Sequence, residues 1–291
     1  MPTAVRSKGF IALALLPALI LFVVFVIVPI IWSAYYGFFE WKGIGATKFI
    51  GLTNYREILQ DHIFWRALKN NMILIVSAIV GQVPIALILA IVLLKNSFFS
   101  RFVRSAVFMP MVLSTVVVGL IWGYIYNPQF GLVNTILDAV GLESWTRAWL
   151  SDVKVNMFAI TIPINWSNIG PYMIIFIAAL QNISPEIDDA ANIDGAQKGK
   201  KLFYVTLPMI WSTVVVTLVL CISGSLKAFD HVMVMTHGGP AQSTELLATY
   251  MYNNTFRVYR YGYGSAVSTI IMIISALLIG INYILTRKKA E

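Results

Sequence analysis

Charge is what this sequence has least of. Of its 291 residues, 12% are charged and 58% hydrophobic, whereas a soluble domain is about a quarter charged. The mean hydropathy is +0.78. A chain this poor in charge cannot clothe its own surface in water, which excludes an ordinary soluble domain. Cysteine is nearly absent too. Cys221 is the single one and lies inside an apolar run, which excludes internal disulfides and multi-cysteine metal sites. The histidines His62, His231 and His237 lack the HExxH spacing of a zinc hydrolase. Ser223, Ser225 and His231 share one segment but are not set at helical spacing, so no nucleophile and base stand out. Gly195-Ala-Gln-Lys-Gly-Lys-Lys201 approaches a phosphate-binding loop. It is one residue short between its glycines and lacks the Ser or Thr that would hold magnesium. The sequence therefore offers no catalytic or metal centre of its own.

What is present is a set of long apolar runs, the mark of helices that cross a bilayer of about 30 Å. They fall near 10–32, 68–94, 105–126, 156–180, 207–229 and 264–285. The expected fold class is an all-α integral membrane protein of six transmembrane helices in a single domain. The first run is too long for a signal peptide and has no clean small-residue cleavage site, so it reads as an anchor. Gly81 and Pro84 imply a kink in the second. The fourth contains Pro163, Asn165, Trp166, Asn168, Gly170 and Pro171, and its middle is not expected to be a plain helix. The net charge of +8 does not imply nucleic acid, because the bases flank the spans. Eleven of the 21 Lys and Arg lie in the two tails and in 95–104 and 184–206. Their density in these short stretches puts both termini and the 184–206 loop in the cytoplasm.

That loop is the one long polar stretch that looks built to hold a shape. Ser184-Pro185 suits a helix start. Glu186, Asp188, Asp189 and Asp194 come early, and Lys198, Lys200 and Lys201 late, an order that favours a helix dipole. Ala190, Ala191 and Ala196 keep a face small, and Gly195 marks a turn. A plain solvated loop helix fits the same charge pattern. The order of residues is more specific. Asp189-Ala190-Ala191, then Gly195 after three residues, then Val205-x-Leu207-Pro208 after nine more, resembles the EAA signature of ABC importer permeases. Asp189 stands for the usual Glu and Val205 for the usual Ile. The resemblance implies a cytoplasmic coupling helix at about 184–198 that docks on an ATPase subunit, with Glu186, Asp189, Ala190, Ala191, Gly195, Leu207 and Pro208 as coupling residues.

Further stretches resemble the carbohydrate branch of that family, the maltose-importer group. They are Phe49-Ile-Gly-Leu-Thr-Asn-Tyr55, then Phe229-Asp230 with Thr236, Gly238-Gly239-Pro240 and Ser243-Thr244, and Tyr261-Gly-Tyr-Gly264-x-Ala266. The resemblance as a whole runs from about residue 10 to 287. The resemblance implies a maltose-permease-like fold in the bacterial cytoplasmic membrane. It also implies as partners a second homologous permease subunit, two ATPase subunits and an extracytoplasmic solute-binding protein. No cofactor is expected in this chain, since ATP and Mg would belong to the ATPases.

A sugar site needs planar hydrogen-bonding groups and aromatic faces. Asn165, Trp166, Asn168 and Tyr172 on the fourth span, with Ser225, Phe229 and Asp230 on the fifth, supply both and flank the coupling loop. Lys227 and Asp230 are three apart and would share a helical face. Ionisable groups at membrane depth suggest a functional site. A mutual ion pair is the competing reading for these two, as interhelical packing is for each Asn and Ser. Two other functions compete. A permease for a different solute is one. The other is a stand-alone secondary transporter, against which stands the lack of a visible inverted repeat or carboxylate relay.

Overall fold

The structure, a computed structural model, describes residues 8–193 and 199–287. Among these residues, five helices are long and apolar enough to cross a membrane: Ile11–Tyr36, His62–Val92, Asn156–Gln181, Trp211–Met235 and Tyr261–Thr286. A bent pair, Phe98–Val112 and Thr115–Ile125, makes a sixth if counted as one span. In chain order the pair is the third span, and the helices are numbered accordingly.

Two spans depart from the sequence-based expectation. The third is not one helix over 105–126. Its halves meet at 101°, because Leu113 and Ser114 have ψ of 144° and 136° rather than helical values. The fourth, expected to be irregular, is one uninterrupted helix over Asn156–Gln181 with Pro163 and Pro171 inside it. A proline deprives the carbonyl four residues earlier of its N–H partner. For Pro163 that carbonyl belongs to Ala159, and the Tyr126 hydroxyl donates to it at 3.0 Å. A neighbouring side chain thus takes over the lost bond, as membrane helices require.

Proline shapes the backbone elsewhere. The segments Val23–Ile27, Ala78–Gln82 and Leu202–Thr206 are wound as π-helix. Each ends two residues before a proline, at Pro29, Pro84 and Pro208. Widening the turn relieves the clash of the ring with the preceding carbonyl. In the second span the wide turn also sets the position of Gln82.

The chain forms two compact units. The first comprises the residues up to Asp61 together with Met251–Met272. Here the short strands Phe39–Glu40 and Lys48–Phe49 pair antiparallel. The buried Asn54 donates from Nδ2 to the carbonyls of Gly37 and Phe39 at 2.9 and 3.0 Å. Arg260 grips Glu57 through two bonds of 2.7 and 2.6 Å and lies 4.2 Å over the Tyr263 ring. The first span is apolar on every side, and none of its described side chains is buried. Phe25, for example, is 72% exposed. Such a surface needs lipid or another apolar chain around it.

The second unit comprises His62–Tyr250 and the residues from Ile273 onward. Its core joins Ala78, Ala86 and Ala90 of the second span to Met173, Phe176 and Ile177 of the fourth, with Val214 and Cys221 of the fifth. The alanines let the backbones approach, which is how membrane helices pack without a hydrophobic driving force. Gly170 serves the same end against the third span. A Cβ there would lie 2.5 Å from the Val107 carbonyl and 2.6 Å from Phe108 Cα. Both are backbone atoms and cannot step aside. Gly170→Ala is therefore expected to cost about 1–3 kcal/mol through overpacking. It should be read as a lower melting temperature and yield of the protein in detergent; an unchanged melting temperature would contradict it.

The fifth span is also broken. Helix Trp211–Leu226 gives way to three non-helical residues before helix Asp230–Met235 begins. Lys227 and Asp230 consequently do not share one helical face, contrary to their spacing. Among the described residues they form no ion pair with each other.

Candidate functional site

The break in the fifth span opens a cavity of about 150 Å³ against the second and fourth spans. The second span contributes Gln82; the fourth contributes Ile164, Asn168 and Tyr172. The fifth contributes Cys221, Gly224, Ser225, and the whole run from Lys227 to His231. A helix that stops at Leu226 and restarts at Asp230 turns these consecutive residues toward one space, where a continuous helix would spread them around its axis. Five of the seven candidate residues thus come together: Asn168, Tyr172, Ser225, Phe229 and Asp230.

Asn168 spends its Nδ2 on the Ile164 carbonyl of its own helix at 2.7 Å, which leaves its Oδ1 without a partner among the described residues. Asp230 and Lys227 are exposed. The cavity therefore offers an amide oxygen, a phenol, a hydroxyl, a carboxylate, an ammonium and an aromatic face.

The remaining two candidates lie elsewhere. Asn165 is used in packing: its Nδ2 donates to Ser77 Oγ at 2.6 Å, and its Oδ1 accepts from Gln82 Nε2 at 2.8 Å. Trp166 packs edge-on to Trp122, with ring centroids 5.9 Å apart. Gln82, which sequence reasoning missed, is 3% exposed. Its Oε1 faces the Cys221 thiol at 3.6 Å. A glutamine in an apolar span, two residues before a proline, was the available signal.

The second candidate site is the polar loop after the fourth span. Ser184 Oγ accepts from Glu186 N at 3.3 Å, and a helix runs over Pro185–Ile193. Glu186, Asp189 and Ala190 are exposed and Ala191 is 6% exposed. Ile193, not singled out from the sequence, is 86% exposed. Glu186, Asp189, Ala190 and Ile193 follow i, i+3, i+4, i+7 and so form one outward stripe. Gly195, the turn of the signature, lies outside the described residues, as do Asp194 and Lys198. Leu207 and Pro208 sit in the short helix Leu207–Met209 that follows a wide turn.

An apolar groove of about 580 Å³ runs behind the loop helix, between Ile183, Pro185 and Ile187 on one side and Leu202 and Val205 on another. Ile91 and Leu94 of the second span's end also line it. That end is held by Arg104, whose Nε donates to the Leu93 carbonyl at 3.0 Å and whose Nη2 donates to those of Leu93 and Leu94. A cation on the last carbonyls of a helix meets both their hydrogen-bonding need and the dipole. The loop helix thus faces the ends of the second and fourth spans across this groove.

Known proteins match this architecture throughout. The sequence profile described as "Binding-protein-dependent transport system inner membrane component" matches residues 82–291. A probable ABC transporter permease protein of Pyrococcus horikoshii is 37% identical over 284 residues, 97% of each chain. A probable permease for starch degradation products from Thermoanaerobacterium thermosulfurigenes is 30% identical, over 94% of this chain and 92% of its own. Among solved structures, a chain of a bacterial ABC transporter that imports alginate superposes with a TM-score of 0.83. It covers 99% of this chain and 98% of its own at 22% identity, a likeness of fold.

Proposed function

This chain belongs to the family of binding-protein-dependent transport system inner membrane components, and from that premise we propose that it is an importer permease for a sugar or oligosaccharide. The observation that carries the substrate class is the convergence of Asn168, Tyr172, Ser225, Phe229 and Asp230 on one cavity. Planar hydrogen-bonding groups beside aromatic faces are what a sugar ring requires, hydroxyls at its rim and C–H bonds on its faces. The relative that carries starch degradation products supports the same class.

The chain performs no ATP hydrolysis itself in this reading. ATP and magnesium bind to two ATPase subunits on the cytoplasmic side, and the exposed stripe of the Pro185–Ile193 helix docks on one of them. A second homologous permease completes the pathway, and an extracytoplasmic binding protein delivers the sugar. Both termini and the loop helix face the cytoplasm, following the Lys and Arg of the short loops. Closure of the ATPases pushes the loop helix as a lever. The ends of the second and fourth spans, which share the groove behind it, carry the motion to the two spans that wall the cavity with the fifth.

The test is uptake into vesicles holding the assembled complex, with maltotriose as the labelled probe. Uptake should require both the binding protein and ATP, and should persist when the proton gradient is collapsed. Uptake lost with the gradient would make this a secondary transporter. Uptake of amino acids or phosphate in place of any saccharide would move the chain to another substrate class.

A further inference from the structure

Asn70 and Asn71 are neighbours in the second span, 5% and 0% exposed. Amides buried at this depth are costly unless they are paired, and these two are paired in different ways. Asn70 donates from Nδ2 to the carbonyls of Ser243 and Glu245, each at 2.9 Å. It holds the loop that follows the fifth span. Asn71 uses both ends of its amide. Its Nδ2 donates to the Ser225 carbonyl at 2.8 Å, and its Oδ1 accepts from Leu247 N at 2.8 Å.

Both partners of Asn71 are helix ends. Ser225 is the penultimate residue of helix Trp211–Leu226, where carbonyls lose their i+4 partner, and besides Asn71 its carbonyl accepts the longer bond from Ala228 N at 3.4 Å. Leu247 opens helix Leu247–Tyr252, and the first four N–H groups of a helix are equally unserved. One side chain from the second span therefore caps the end of one helix and the start of another. The capped end is the step where the fifth span breaks, and that step presents Ser225, Phe229 and Asp230 to the cavity. Asn71 itself does not line the cavity.

We infer that Asn71 is a positioning residue for the cavity: by capping the Ser225 carbonyl it fixes where the fifth span stops, and so where its polar wall stands. The inference rests on the cavity being the sugar site. Asn70 is equally buried and adjacent, but it serves the loop alone. The two asparagines therefore separate cavity geometry from loop anchoring.

The measured quantity is maltotriose imported per ATP hydrolysed by the complete complex in vesicles, with loaded binding protein outside. Loss of one buried hydrogen-bond partner shifts an equilibrium by about tenfold or more. Asn71→Ala is expected to lower sugar per ATP by about that factor while stimulated ATP hydrolysis continues. Asn71→Asp keeps the size and the acceptor for Leu247 N but loses the donor to Ser225, and should show the same fall. Asn70→Ala should keep the wild-type ratio. An unchanged ratio in Asn71→Ala, or an equal fall in Asn70→Ala, overturns the inference. So does failure of Asn71→Asp to assemble, which would make the residue a folding element. Asn168→Ala separates the two levels. If it lowers the ratio and Asn71→Ala does not, the inference falls and the sugar site stands. If neither changes the ratio, the cavity is not the sugar site and both fall.

Discussion

Ile193→Asp is expected to leave the protein folded in the membrane and to uncouple it from its ATPase. Ile193 is 86% exposed at the end of the loop helix. It shares a face with the exposed Glu186, Asp189 and Ala190, while Ala191 packs inward. In the proposed docking of this helix on an ATPase, this large aliphatic side chain would supply apolar contact at the end of the stripe. Burying an isoleucine there contributes about 1.5–3 kcal/mol. An aspartate at the same spot would be a charge buried without a partner, which costs several kcal/mol more. The sum corresponds to at least about a hundredfold weaker docking.

The measurement is co-purification of the ATPase subunits with the permease, together with ATP hydrolysis stimulated by the binding protein. Ile193→Leu, which keeps the apolar volume, should retain both. Asp189→Ala should have a smaller effect, since an exposed charge contributes little. Gly195→Asp, at the turn of the signature, should match Ile193→Asp. Wild-type coupling in Ile193→Asp would show that the exposed stripe is not the docking face.

How much of this was legible in the sequence depends on where the deciding interaction lies. Apolar length is a local property, and it located the spans. The break at Leu113 and Ser114 was not legible, because neither residue interrupts the hydropathy of 105–126. The continuity of the fourth span was not legible either. Pro163 is tolerated there because Tyr126, 37 residues earlier in the chain, supplies a hydroxyl to the freed Ala159 carbonyl. Asn165, Asn168, Asn71 and Gln82 look alike in a sequence, as polar residues in apolar runs. Only their partners divide them: Asn165 is spent on Ser77 and Gln82, Asn71 on two helix ends, and Asn168 keeps an oxygen free among the described residues. The signature residues Asp189 and Ala190 were legible through resemblance. Ile193 belongs to no signature position, and its significance comes from exposure alone.

The cavity admits a test that does not depend on any single hydrogen bond. Gly224 lines it, and a Cβ built on Gly224 meets no atom within 4 Å. The residue lies within helix Trp211–Leu226, where glycine is about 1 kcal/mol worse than alanine. Gly224→Phe should therefore be tolerated by the fold and should place a ring in a space of about 150 Å³. A sugar would then have to displace a packed side chain, and overpacking of that kind costs about 1–3 kcal/mol. Maltotriose uptake should fall by about ten- to a hundredfold, with ATP hydrolysis still stimulated by the binding protein, because the coupling helix is untouched. Gly224→Ala, which adds one methyl to open space, should transport nearly as wild type. Asn168→Ala and Asp230→Ala remove single partners and should each weaken uptake, by about ten- to a hundredfold in affinity. The ordering matters more than any one value. A blocked cavity must impair every saccharide the complex carries, whereas loss of Asn168 or Asp230 should discriminate among them by where their hydroxyls stand. If Gly224→Phe imports maltotriose at the wild-type rate, the sugar passes by another route and the convergence of the fourth and fifth spans on this cavity has a structural cause only.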